Sequence, residues 1–180
     1  LGQGSIKINS KDLAIVVDPP TKSSGLSELT SSVDVTLLTV EASDMPAKPG
    51  MVIDGPGEYE VKGAMISGIP AQLHIDESGI RGTVYAIHID GLRLGIIGNI
   101  APELTGPQIE GLGQVDTLVL PVGGHGLTLD AQAAAKIVSQ LEPKYVVPVH
   151  YDDGATKYEV PQDSLDAFLK EVGASPEIQP

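Results

Sequence analysis

Cysteine and tryptophan are absent from this chain, and it has a single phenylalanine. Without cysteine there is no disulfide framework, no thiolate zinc site and no cysteine nucleophile. With aromatics at 3%, the core has to be built from Ile, Val, Leu and Ala, and a base-stacking platform is a poor fit. Basic side chains are also few: 11 Lys and Arg stand against 24 Asp and Glu, a net charge of −13. An anionic surface repels phosphate backbones, and the cations form no run, so neither nucleic acid nor an acidic membrane is expected as a partner. No apolar stretch approaches the roughly 20 residues that span a bilayer. No signal-peptide pattern is visible, although the chain opens at Leu1 without a methionine, which leaves a leader or a short first strand ahead of it open. The expectation is a soluble, cytoplasmic protein. Nothing in the sequence isolates an oligomer surface, so monomer and homo-oligomer both stay open.

What is present suits one compact domain over residues 1–180, with 41% hydrophobic and 19% charged residues. Glycine (21) and proline (14) imply many tight turns between short elements. The first half reads as strands. Gln3 to Asn9 alternates polar and apolar, Ala14 to Val17 is an apolar run stopped by Pro19 and Pro20, and Val33 to Val40 is another. One helical turn fits Gly25 to Ser32. From Met51 to Pro70 the pattern is a strand, a Gly-Pro-Gly turn, then two short strands punctuated by Gly63 and Gly68. After a polar loop from Ala71 to Gly82, Thr83–Asp90 and Leu92–Gly98 flank Gly91 as a hairpin.

The second half changes period. Thr117 to Val122 is a buried strand that runs into Gly123-Gly-His-Gly126. A helix follows, capped by Thr128 or Asp130, with Ala133, Ala134, Ile137, Val138 and Leu141 on one face. Lys144 to His150 is the next strand, and a last helix from about Pro161 to Val172 carries Leu165, Phe168, Leu169 and Val172.

Several ordered segments resemble the small metal-dependent-hydrolase branch of the metallo-β-lactamase superfamily. They are Leu1-Gly-Gln-Gly-Ser, Val16-Val-Asp-Pro, Val33-Asp-Val-Thr-Leu-Leu-Thr, Ile53-Asp-Gly-Pro-Gly-Glu-Tyr-Glu-Val-Lys-Gly, Gly91-Leu-Arg-Leu, Gly98-Asn, Val115-Asp-Thr-Leu-Val-Leu-Pro-Val-Gly-Gly and Leu141-Glu-Pro-Lys-Tyr-Val-Val-Pro-Val-His-Tyr. The resemblance implies an α/β fold, a four-layer αβ/βα sandwich, with the active site on loops at one edge of its two sheets. It also implies a His-x-His-x-Asp-His loop after the strand ending Leu-Leu-Thr. Such a loop gives a hydrolytic metal its imidazoles and carboxylates while leaving a position open for water.

Here that loop departs from the pattern. Val40 and Ala42 stand at the two alternating histidine positions, Asp44 keeps the aspartate, and Met45 replaces the last histidine. Asn99 replaces the later carboxylate, and of the later ligand positions only His150 keeps its type, so two ligands match in all. Val and Ala offer no donor, and Met sulfur is too soft for hydrolytic zinc. The leading expectation is therefore a scaffold or small-ligand binder, more a non-enzyme than an enzyme, with no metal and no catalytic residue. Its remnant pocket would comprise Asp44, Asn99, His125 and His150.

The alternative is a divergent metal-dependent hydrolase in which His74, His125, His150 and Asp44 converge on a single zinc ion. For each residue a plainer role competes: a turn-stabilising Asp44, a surface His74, an incidental His125 in a flexible glycine loop, a strand-end His150. His88 alternates along a strand and reads as structural. Glu58 reads as turn-stabilising. No phosphate loop or Gly-x-Ser-x-Gly elbow is present.

Overall fold

A computed structural model describes residues 2–20, 26–27, 31–40, 50–73, 81–126, 128–158 and 160–173, with backbone alone at Arg81. Residues 25 and 28–30 of the expected helical turn at 25–32 and the residues Ala42, Asp44, Met45 and His74 lie outside this set.

The first sheet holds β1 (Ile6–Asn9), β2 (Ala14–Val17), β3 (Val35–Leu37) and β4 (Met51–Ile53) in the order β1-β2-β3-β4. β1 pairs antiparallel with β2, and β2, β3 and β4 run parallel. The second sheet adds β5 (Gly57–Val61), β6 (Ala64–Gln72), β7 (Arg81–Ile89), β8 (Leu92–Ile96), β9 (Thr117–Pro121) and β10 (Tyr145–Val149) in the order β10-β9-β8-β7-β6-β5. Its half from β8 to β10 is parallel, and the remainder is an antiparallel meander.

The two sheets face each other through alternating side chains. Ile15, Val17, Val35, Leu37 and Ile53 from the first meet Ile66, Tyr85, Ile87, Ile96 and Val119 from the second. Tyr85 stitches them together, its buried hydroxyl lying 2.8 Å from Leu38 O and 3.1 Å from Ile53 O.

The opposite face of the second sheet presents Val84, Ala86, Leu118 and Leu120 to the helices α1 (Gly106–Leu112), α2 (Ala131–Leu141) and α3 (Leu165–Val172). Leu112, Ala134, Ile137, Leu141 and Phe168 are the helix residues buried there. Val16 and Thr36, on the outer face of the first sheet, are fully buried as well. The architecture is the α/β sandwich the resemblance implies, two facing mixed sheets with the described helices packed on the outer face of the second.

Local chemistry explains most boundaries. The Lys62-Gly63 and Asp90-Gly91 turns have positive φ at both residues (50° and 81°, 51° and 77°), the left-handed pair that tight hairpins favour. Asp130 rather than Thr128 caps α2, accepting Ala133 N–H at 2.8 Å.

Two expectations need correction. Gly68 does not end a strand: β6 runs through it, and a side chain there would stand 2.7 Å from Gly55 O, so the glycine permits a close backbone approach. Helix α1 is the other, a helix where none was expected, opened by a capping box between Thr105 and Gln108. Gly106, Pro107 and Gly111 dilute its helical signal.

β10 closes one end of the second sheet. Tyr145 N–H bonds to Asp116 O and Val149 O to Val122 N–H, so residues 145, 147 and 149 turn their backbone groups inward. Val146 and Pro148 turn theirs outward, and proline has no N–H to offer there. Among the described residues no helix is long and apolar enough to cross a membrane.

Candidate functional site

Parallel strands place their carboxyl ends at one edge of a sheet, and ligands bind in the crevice beyond those ends. Here both sheets contribute such an edge. Asp18 follows β2; Leu38, Thr39 and Val40 follow β3; Ile97, Gly98 and Asn99 follow β8; His150 follows β10. Because β1 is antiparallel to β2, its leading residues Gln3 and Gly4 arrive at the same edge. Together they enclose a cavity of about 260 Å³. Its apolar wall includes Val17, Leu38, Val40, Val119 and Val149, and its polar groups are Gln3, Asp18, Thr39, Asn99 and His150.

Three of these polar residues adopt left-handed backbone: Gln3 (φ 56°), Asp18 (φ 41°) and His150 (φ 54°). Non-glycine residues adopt this region sparingly, and such conformations concentrate at functional sites.

Asp18 lies deep in the molecule with part of its surface open to the cavity. Thr39 donates its N–H to Oδ1 at 2.8 Å and its hydroxyl to Oδ2 at 2.7 Å. Burial outweighs these bonds and pushes the carboxyl up to about 6. Gly98 makes room for the arrangement, since a side chain there would overlap Thr39 Oγ1.

His150 donates its backbone N–H to Gln3 O at 3.1 Å, and its ring stacks on Tyr158 with centroids 5.1 Å apart. Burial lowers its imidazole below the usual histidine range, so the ring is neutral at physiological pH.

Of the pocket expected from sequence, Asn99 and His150 are brought together and Val40 joins their wall. His125 does not line this cavity. It sits exposed at φ 55° in the loop after β9, its Nε2 3.0 Å from Asp163 Oδ1. Asp44 and His74 lie outside the described residues. His88 is exposed on β7. Asp18 was missed as a site residue. The available signal was a carboxylate closing an apolar strand immediately before Pro19 and Pro20.

The donors available at the cavity are one imidazole, one carboxylate and two amides. Catalytic zinc takes three protein ligands, typically imidazole or carboxylate, plus a water. Among the described residues no three or more His, Cys, Asp or Glu side chains converge in that way. Both Asp18 oxygens, moreover, already hold a Thr39 donor. These residues alone do not fit a zinc centre.

Two facing mixed sheets, helices outside the second and a cavity at the shared carboxyl edge define an α/β sandwich with a ligand-sized crevice at one edge. A family model described as a beta-lactamase superfamily domain matches residues 1–150, and the chain belongs to that superfamily.

Among curated relatives, a metal-dependent hydrolase of Thermococcus onnurineus is 31% identical over 134 residues, covering 68% of this chain and 54% of the relative. One of Thermococcus kodakarensis is 29% identical over 134 residues with the same coverage, 68% and 54%. The chain thus spans about half the length of the curated relatives it matches.

Among solved structures, a Thermotoga maritima protein described as a candidate zinc-dependent hydrolase of the metallo-β-lactamase superfamily superposes with a TM-score of 0.74 at 25% identity. That match covers 94% of this chain and 81% of the other.

Proposed function

We propose that this chain is a divergent hydrolase of the metal-dependent group, working from the Asp18, Asn99 and His150 cavity rather than from a histidine-rich loop. The observation that carries the reading is one cavity holding a carboxyl poised near neutrality and a neutral imidazole. Perturbed groups of this kind mark sites of proton transfer. The names of the curated relatives support the same class.

In this reading the neutral His150 ring accepts a proton from an attacking water. The Asn99 amide orients the substrate carbonyl, and Asp18 exchanges a proton at the leaving group. Thr39 fixes the carboxylate, and the valine-rich wall keeps bulk water out, which strengthens each polar contact. The acidic net charge supports a small-molecule substrate over a nucleic acid. Zinc enters this proposal only through donors from outside the described residues, such as Asp44 and His74, joining His150.

The experiment is a hydrolysis screen of small esters, thioesters, lactones and amides, with metal content measured on gently purified protein. Turnover should fall by about 10²–10⁴-fold in His150→Gln with the fold retained. Absence of turnover in every class, with and without added zinc or manganese, would reject the hydrolase.

A second reading, a non-catalytic ligand-binding scaffold, is favoured by Val40 in the cavity wall, where the family's pattern has a histidine. It predicts saturable small-molecule binding without turnover.

A further inference from the structure

We propose that the cavity takes a small organic cation, a primary ammonium on a short aliphatic stem, with its head among Asp18, Asn99 and His150 and its stem along Val17, Leu38 and Val119. This rests on reading the cavity as the working site and does not depend on turnover there.

The groups that line the cavity include three acceptors, the Asp18 carboxylate, one ring nitrogen of neutral His150 and the Asn99 carbonyl oxygen, beside the N–H donors of the ring and the amides. Each Asp18 oxygen accepts one hydrogen bond from Thr39, and an ionised carboxylate oxygen has capacity for a second. A neutral imidazole presents one bare nitrogen, and an amide presents its carbonyl oxygen. Neither the His150 ring nor the Asn99 side chain has a hydrogen-bond partner among the described residues, although both are partly enclosed. An ammonium carries three donors and no acceptor, which matches this set.

A carboxylate set in an apolar wall is costly to leave unpaired, and a bound cation relieves that cost. The wall beside it is aliphatic, with Val17, Leu38, Val40, Val119 and Val149 supplying surface for methylene groups. At about 260 Å³ the space falls just under the usual range for drug-sized ligands, so the stem is short. The net charge of −13 also favours the approach of a cation.

The test is an amide-shift titration of the intact chain at constant ionic strength with butylammonium chloride, butyramide, sodium butyrate and zinc chloride. Butylammonium should give saturable shifts at Asn99 and His150, with a dissociation constant of about a millimolar, within reach of so small a ligand. Butyramide should bind at least about tenfold more weakly, and butyrate should leave the cavity signals unmoved.

Asp18→Asn should remove the preference for ammonium over amide. Because that carboxylate is buried and its loss could unfold the chain, Asn99→Asp provides a second arm. A further carboxylate at that position should tighten butylammonium several-fold.

Equal binding of butyrate or butyramide overturns the proposal, as does no saturable butylammonium shift at about 10 mM. Weaker ammonium binding in Asn99→Asp also overturns it. Stoichiometric zinc that butylammonium cannot displace assigns the cavity to a metal ion, which overturns the organic cation while supporting the hydrolase. Ammonium binding without turnover in the screen above leaves this proposal standing and rejects the hydrolase.

Discussion

Thr39 supplies Asp18 with two donors at once, its backbone N–H at 2.8 Å and its hydroxyl at 2.7 Å, and so ties the end of β2 to the end of β3. Even so, burial wins and the carboxyl rises from 3.8 to about 6. A native carboxyl with a raised pKa holds a proton that the unfolded chain has released. Its contribution to stability is therefore full below pH 3.8 and is lost as pH rises through about 6. The size is roughly 3 kcal/mol for a shift of this extent. Urea unfolding of the parent and Asp18→Asn between pH 4 and 7 should show the parent losing stability relative to the variant as pH rises. Parallel curves would refute the assignment.

His150 has the opposite sign. Its folded ring resists protonation, whereas the unfolded ring takes a proton near 6.5. The corresponding stability is present above 6.5 and falls away as pH drops below it. A histidine titration by NMR should place the His150 midpoint below that of an unfolded reference. If hydrolysis occurs, activity should persist on the acid side to below that reference value.

Tyr85→Phe removes the hydroxyl that bridges the Leu38 and Ile53 carbonyls inside the sandwich. Leu38 O then loses this donor while Ile53 O keeps the Leu38 N–H at 2.9 Å, and the variant should be destabilised by about 1–3 kcal/mol in denaturant unfolding. A change inside experimental error would show that another donor takes over.

Gly98→Ala forces a methyl group into Thr39. The expected cost is about 1–3 kcal/mol, with loss of the Thr39 clamp and a higher Asp18 pKa, because the two bonds that favour its charged form are lost. An unaltered Thr39 amide signal in the variant would contradict this.

His125→Ala breaks the exposed pair with Asp163 and should leave small-molecule binding in the cavity unchanged. A loss of cavity binding in this variant would bring the 123–126 loop into the site.

Much of the fold is legible in the residues themselves. β1, β2, β9 and β10 follow from apolar alternation or short apolar runs, α2 and α3 from apolar stripes, and the β7–β8 hairpin from Asp90-Gly91. Helix α1 was obscured because its glycines and proline lower helical propensity even though its capping box is plain.

The site was half legible. His150 and Asn99 follow β10 and β8, two strands of one parallel array with β9 between them, and the family pattern marks both positions. Asp18 is different: its partner Thr39 lies 21 positions away, and only the parallel pairing of β2 with β3 makes them adjacent. His125 also follows a parallel strand, yet its ring is drawn aside by Asp163, 38 positions further on. No periodicity encodes a contact of that kind.

Pro148 has a consequence for the molecule in crowded solution. β10 presents the exposed side chains of Tyr145 and Val147, an inviting surface for another extended segment. A docking strand would find a gap in the ladder where Pro148 has no hydrogen to share. The chain can therefore keep a greasy rim at this end of the sheet while discouraging its own copies from growing into a fibre.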